Sequence, residues 1–336
     1  MIPLPPTTPG LHHVSVLARD GRVNRAFWTR TMGQRLIKRT VNFDAPTMHH
    51  LYYGDGAGRV GTALTFFPIP KAAPAVVGTG EPSAVAYAVR QETLPFWHDR
   101  LANAGREPIE IDRWGRPGLA FADPDGLRIE LIGLADPPEV AGWEGEPIDP
   151  GARLHGFESV TLRVASADST LALLRRVGFE AQDERAEGSA RRLRLETGSG
   201  ALGDAVDLVD EGRSRPRRDG RGSVHHVAFR LPGDAEQEAL RDDLLGLGLN
   251  VSEVRERVYF RSIYLREPGG VLLEFATDGP GMDVDEPSDA LGATLRLPPW
   301  LEGQRNEIAS RLPDLDPNPD PNDERDAHAP RPEVTA

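Results

Sequence analysis

The chain has 336 residues, of which 39% are hydrophobic and 27% charged, a balance that fits a soluble globular protein of two ordinary domains and excludes a fibre or a largely disordered chain. Its formal net charge of -13 argues against nucleic acid or an anionic membrane as a partner. Cysteine is absent, which excludes disulfide scaffolds, thiolate metal sites and cysteine nucleophiles, so any metal must be held by nitrogen and oxygen.

In chain order, Met1-Ile2-Pro3-Leu4-Pro5-Pro6 lacks a basic region followed by an apolar stretch, and the longest apolar runs elsewhere are strand-sized. Neither a signal peptide nor a membrane span is expected, and a cytoplasmic location is the default. A first strand is predicted at Leu11-His12-His13-Val14-Ser15-Val16, followed by a helical pattern over Phe27–Met32 that stops at Gly33. The same succession recurs at a spacing of roughly 70 residues, with strands at Ser83–Val89, Glu158–Val164 and Val224–Phe229 and helical patterns ending at Gly105, Gly178 and Gly248. Glycine just past the last turn is the expected stop, because it enters left-handed backbone without a Cβ penalty. Two units close on a turn and then a strand carrying an acid: Asp123-Pro124-Asp125-Gly126 before Leu127–Glu130, and Glu267-Pro268-Gly269-Gly270 before Val271–Glu274.

Each repeat is read as a strand, a helix and three further strands. Four such units make two domains, 1–136 and 154–282, joined by a linker over 137–153 rich in Pro, Gly and acid. An extension follows over 283–316, in which Trp300, Leu301, Ile308 and Leu312 fall at helical spacing and are expected to pack on the body. From 317 to 336 Pro, Asp, Asn and Glu dominate, and a disordered tail is expected.

The chemistry-bearing residues stand on the strands. His226 and Glu274 lie in short apolar runs, and a second doublet, His12-His13, opens the chain. Two imidazoles and one carboxylate, leaving coordination positions open, suit non-heme Fe(II) oxygen chemistry. Because residues i and i+2 of a strand share a face, Val14 and Val16 define a packing face and leave His13 with Ser15 on the other. Val227 and Phe229 likewise leave His226 with Ala228, and Leu273 and Phe275 leave Glu274 with Ala276.

From about Leu11 to Met282 these units resemble the modules of the vicinal oxygen chelate superfamily, which includes glyoxalase I, bleomycin resistance proteins and extradiol ring-cleaving dioxygenases. Tyr52-Tyr53-Gly54-Asp55, Gly61–Pro68, Arg257–Gly270 and Leu295–Glu302 resemble its hydroquinone-cleaving branch. The resemblance implies an α+β fold of four βαβββ modules arranged as two domains with cupped mixed β-sheets. It also implies a ligand slot on the first and last strand of each module: His13, Ala84, Ser159 and His226, then Thr65, Glu130, Asp207 and Glu274. Only units one and four together supply two histidines and a carboxylate, so His13, His226 and Glu274 are the implied metal ligands, joined across the first and last units as in that branch.

The implied metal is Fe(II), with Mn(II) accepted by the same set, and the implied partners are a small aromatic diol and O2. Around them the resemblance places Tyr264 as a donor to a substrate oxygen, Arg257 and His225 as a charge and hydrogen-bond network, and Ser15 where the branch often has Thr. Tyr264 has the alternative of simply covering the core. Glu130, without a histidine beside it, is expected to be solvated or structural, His155 structural, and His49 and His50 either surface or lining residues. Two other classes compete. A glyoxalase-like lyase or isomerase on Zn(II), Ni(II) or Mn(II) commonly uses four protein ligands, against which Thr65 in the fourth slot counts. A metal-free module that sequesters an aromatic molecule lacks the ligands found here. The ring substituents are not readable from sequence, and homo-oligomerisation is left open.

Overall fold

The computed structural model describes residues 6–315; the expected disordered tail over 317–336 lies outside the described residues. The first repeat comprises β1 (Leu11–Ala18), α1 (Gly21–Ala26), β2 (Arg35–Asn42), β3 (Ala45–Gly54) and β4 (Ala63–Pro68). The second has β5 (Glu81–Arg90), α2 (Leu94–Asn103), β6 (Ile109–Arg113), β7 (Arg116–Ala122) and β8 (Arg128–Leu134). The third has β9 (Phe157–Val164), α3 (Ala167–Arg176), β10 (Glu180–Glu187), β11 (Ala190–Glu196) and β12 (Ala205–Asp210). In the fourth, β13 (Val224–Leu231) and α4 (Asp234–Gly246) precede β14 (Arg255–Glu256), β15 (Arg261–Arg266) and β16 (Leu272–Thr277).

The helix stops behave as their chemistry demands: Gly33, Gly105, Gly178 and Gly248 have φ of 71°, 69°, 104° and 77°. The first helix differs from the expected pattern. It starts on Asp20, whose carboxylate caps the N–H groups of Arg22 and Val23, and it finishes as a π turn over Phe27–Thr31. Phe27 and Trp28 are consequently both buried although adjacent in sequence. Trp28 is fully enclosed, with ring contacts to Phe27, Tyr53, Phe66 and Tyr87, so it ties the first repeat to the second. Truncating such a residue to alanine costs about 3–5 kcal/mol.

Two curled mixed sheets result. One runs β14-β15-β16-β13-β1-β4-β3-β2 and the other β10-β11-β12-β9-β5-β8-β7-β6. Repeat one thus joins repeat four, and repeat two joins repeat three, so each sheet draws on both 1–136 and 154–282. Within a repeat the first and last strands are parallel neighbours, as β1 with β4 and β13 with β16. At each centre two first strands meet antiparallel, β1 against β13 and β5 against β9. One face of both sheets contributes to a shared core that includes Val14, Val16, Val85, Tyr87, Val160, Val227, Phe229 and Phe275. No helix among the described residues is long and apolar enough to cross a membrane.

The extension packs on the outer strands of the first sheet. Leu297, Leu301 and Ile308 cluster with Val41 of β2, and α5 (Arg305–Arg311) carries the last of them. Trp300 departs from the expectation: it stays 51% exposed and only edges onto the ring of Phe43. The intervening turns are held by Lys38, whose fully buried ammonium bonds Asp285 at 2.7 Å and Glu286 at 2.6 Å.

Candidate metal centre

The meeting of β1 and β13 is what assembles the centre. Ser15 pairs with His226 and His13 with Ala228 across that junction, Glu274 of β16 pairs with Ala228 on the next strand, and Tyr264 of β15 pairs with Glu274 beyond it. Val14, Val16, Val227, Phe229, Leu273 and Phe275 occupy the core, and alternation turns His13, His226 and Glu274 to the opposite, concave face. The three side chains are buried, and their ligand atoms lie within 4.8 Å of one another.

The distances are close. His13 Nε2 is 3.2 Å from His226 Nε2, and Glu274 Oε2 is 2.9 Å from His226 Nε2 and 3.4 Å from His13 Nε2. A cation with bonds of about 2.1 Å holds neighbouring ligands roughly 3.0–3.4 Å apart. Despite its proximity to both imidazoles, Glu274 Oε2 makes no hydrogen bond of acceptable geometry and is a buried orphan oxygen. Its sister oxygen is occupied, since Ser262 Oγ donates to Glu274 Oε1. Burial works to raise the Glu274 carboxyl, but His13 and His226 outweigh it and hold it well below the ordinary carboxylate range. A divalent ion fits this donor set: two imidazoles and a committed carboxylate converge, and one carboxylate oxygen accepts no hydrogen bond.

Each of the two candidate ligand histidines is backed by its predecessor. His13 Nδ1 is 2.9 Å from His12 Nδ1, and His226 Nδ1 is 2.8 Å from His225 Nδ1. Consecutive strand residues normally point to opposite faces, so the contact needs an irregularity, and one is present at both places. The β1–β13 register jumps from Leu11 opposite Phe229 to His13 opposite Ala228, which makes His12 an extra residue. It jumps again between Ser15 opposite His226 and Val16 opposite Val224, which makes His225 another. Such bulges re-aim side chains. Burial, then the neighbouring His13, depresses His12 to about 3, while burial and then His226 depress His225 to about 4.

The centre opens into a cavity of about 310 Å³ whose apolar lining includes Leu17, Phe43, Met48, Phe67, Ile69 and Phe260. Its polar lining includes Tyr264 and Arg257: Arg257 Nε donates to the Tyr264 hydroxyl at 3.3 Å, and its other arm meets Asp44 at 3.1 Å. Burial, then Glu274, raises the Tyr264 hydroxyl above its ordinary value, so it stays protonated and can donate. Val258, beside Arg257, has φ of 68°, a strained conformation for a β-branched residue. Ser15 Oγ is 2.7 Å from Thr65 Oγ1, which in turn is 2.8 Å from His50 Nε2.

All seven sequence-derived candidates therefore lie at one centre, with Ser15 at its hydroxyl edge. The corresponding slots of the second sheet are different. Glu130 is buried rather than solvated, gripped by Arg113 at 2.6 and 2.8 Å and by Arg128 at 3.0 Å. Asp207 accepts from Arg192 at 2.7 Å and from the Trp114 indole at 3.0 Å. These carboxylates are saturated by cations. His155 Nδ1 faces the Pro138 carbonyl at 2.7 Å and His49 Nε2 the Pro313 carbonyl at 2.8 Å, both structural roles. Sequence reasoning missed His12 as the backing of His13, Ser262 as the partner of Glu274, Asp44 as the partner of Arg257, and the lining role of Tyr52; of the two roles it left open for His50, surface or lining, the structure shows lining.

Residues 10–131 and 156–275 match the family described as Glyoxalase/Bleomycin resistance protein/Dioxygenase superfamily. A Bacillus subtilis (strain 168) protein named ring-cleaving dioxygenase MhqA is 39% identical over 312 residues, covering 90% of this chain and 98% of its own. A Sphingobium indicum protein named chlorohydroquinone/hydroquinone 1,2-dioxygenase is 32% identical over 321 residues, 94% of this chain and 99% of its own. Among solved structures, a dioxygenase from Bacillus subtilis superposes with a TM-score of 0.85 at 33% identity, over 93% of this chain and 98% of that one. Maize glyoxalase I shares the fold, with a TM-score of 0.61 at 16% identity over 80% of this chain and 92% of its own.

Proposed function

The chain belongs to the glyoxalase/bleomycin resistance protein/dioxygenase superfamily, and from that premise we propose that it is an Fe(II)-dependent, extradiol-type ring-cleaving dioxygenase acting on a hydroquinone- or catechol-type ring. The observation that carries the reading is the convergence of His13 Nε2, His226 Nε2 and the orphan Glu274 Oε2 at the floor of an apolar cavity. His13, His226 and Glu274 would hold the ion, and Mn(II) suits the same donors. A bound ion supplies Lewis-acid and redox chemistry with open positions for a ring hydroxyl and O2.

The chain's own groups do the rest. Phe43, Phe67 and Phe260 hold an aromatic ring and exclude water. Tyr264, kept protonated, donates a hydrogen bond to a substrate oxygen, and the Arg257 guanidinium behind it stabilises negative charge there. His225 lines the cavity as a neutral imidazole, able to take the proton of an acidified ring hydroxyl while its Nδ1 steadies His226. Both oxygen atoms enter the ring-opened product, so no external reductant is consumed. Thr65 is engaged with Ser15 and His50 instead of offering a fourth anionic ligand, which supports the dioxygenase over a four-ligand lyase.

The test is O2 uptake with simultaneous ultraviolet spectra after anaerobic Fe(II) reconstitution, across hydroquinones and catechols. Uptake matching the substrate consumed, with a new semialdehyde absorbance, is expected. No uptake by protein holding one iron per chain would overturn the reading.

A further inference from the structure

His50 and Tyr52 stand two residues apart on β3 and face the cavity together, their rings 4.2 Å apart. His50 is wedged by the Phe67 ring at 4.0 Å, nearly parallel, and its Nε2 is tied to Thr65 Oγ1. Its Nδ1 has no hydrogen-bond partner among the described residues, nor has the Tyr52 hydroxyl, and both residues line the cavity without either atom being sealed off from it. The sheet order sets this pair apart from Tyr264 and Arg257: β3 lies beyond β4 on one side of the ligand strands, and β15 lies on the other side. The sheet's curl brings these two edges toward each other over the cavity, where the Tyr52 ring lies 6.2 Å from that of Tyr259 and Arg257 pairs with Asp44 of the β2–β3 turn.

Resting on the dioxygenase reading above, we propose that His50, assisted by Tyr52, receives the ring hydroxyl that is not bound at the metal ligands, and so selects diols over monophenols. An apolar-walled pocket that leaves two polar atoms unpaired is incomplete until a ligand pairs them. A hydroxyl suits both atoms, because it donates and accepts. The Ser15–Thr65–His50 hydroxyl chain fixes His50 in place and lets its imidazole present either a bare Nδ1 or an N–H.

His50→Phe tests this. It keeps an aromatic ring against Phe67 and Tyr52, removes both nitrogens, and leaves Thr65 paired with Ser15. Binding of hydroquinone and of 4-methylphenol, its near-isostere lacking one hydroxyl, is measured by calorimetry under nitrogen on protein holding one Fe(II) per chain. The wild type should bind hydroquinone at least about tenfold tighter, the equivalent of one hydrogen bond to an otherwise unpaired group. His50→Phe should lose that preference while its affinity for 4-methylphenol stays within about twofold. Tyr52→Phe, which removes a single oxygen, serves the same comparison if His50→Phe fails to fold. Equal weakening for both rings, or an intact preference, would overturn the assignment of His50 alone. A metal-loaded wild type that binds neither ring would overturn the ring-cleaving reading along with it.

Discussion

His12 decides which nitrogen of His13 carries the proton. Its Nε2 faces the Thr277 carbonyl at 3.1 Å, an acceptor, so a neutral His12 must be protonated there and bare at Nδ1. His13 Nδ1, 2.9 Å away, must then donate, which leaves His13 Nε2 bare and aimed at Glu274. His12→Phe removes the acceptor while filling the space between His13 and Phe260. Metal affinity should drop about 10–100-fold, as for other orienting partners of ligand imidazoles. Competition with a chromophoric chelator measures it, and His12→Gln, whose amide oxygen can accept the same proton, should recover part of the loss.

A cation that binds the folded state alone stabilises it, by about 2.7 kcal/mol when present at a hundredfold excess over its Kd. Thermal midpoints recorded anaerobically should therefore rise with added Fe(II) or Mn(II) and fall with a chelator. In Glu274→Ala the rise should vanish, because the single anionic ligand is gone and the remaining imidazoles lie 3.2 Å apart with nothing to balance an ion's charge. An undiminished rise in that variant would place the cation elsewhere.

The repeats, their helix stops and the three candidate ligand residues were legible because they are local: a buried strand reads as an apolar run, a left-handed C-cap as glycine, a candidate ligand as the odd residue out in its alternation. The pairing of β1 with β13 came only through the family resemblance, because strands more than two hundred residues apart are matched by the whole core and by no local signal. His12 escaped for a sharper reason, and His225 was reached only through the family resemblance. Alternation assigns them to the wrong face, and only the two bulges bring them onto their neighbours. His50 and Tyr52 sit in His49-His50-Leu51-Tyr52-Tyr53, where both faces carry large side chains, so periodicity cannot say which face lines a cavity. The arginines that fill the second sheet's slots were readable in principle, since Arg192 and Arg194 alternate with Leu193 and Leu195 on β11, facing Asp207.

Asp123 gives the fold a pH dependence independent of the metal centre. Burial, then the charge of Asp125, raises its pKa from 3.8 to about 7, and its Oδ2 has no partner. A carboxyl protonated in the folded state but ionised when unfolded favours folding below the unfolded value. That contribution is lost as pH rises through the folded value, at up to about 1.4 kcal/mol per pH unit. Asp123→Asn keeps the Oδ1 acceptor for the N–H groups of Asp125 and Leu127. The gap between the urea midpoints of variant and wild type should widen in the variant's favour as pH rises from about 4 to 7 and level off above, the depressed histidines such as His12 and His225 titrating alike in both proteins. A gap between the two that does not change with pH would exclude this account.

Lys38 links stability to the site. Its ammonium, with no exposure, bridges Asp285 and Glu286 and lies 4.8 Å from the centre of the Tyr259 ring, while the Tyr259 hydroxyl donates to Asp285 at 3.2 Å. Tyr259 follows the strained Val258 and is two residues from Arg257, so the same contacts pin the segment that carries the guanidinium. Lys38→Met leaves the Glu286 carboxylate buried with a partner missing and should cost about 3–5 kcal/mol of folding stability, read from denaturant unfolding. Below the new midpoint the variant should still bind its metal, because none of the three ligands touches Lys38. Its KM for the ring should rise more than its metal affinity falls, since the freed loop would hold Arg257 less firmly against Tyr264. Loss of metal affinity in step with the KM change would mean that Lys38 supports the whole cup and not this loop in particular.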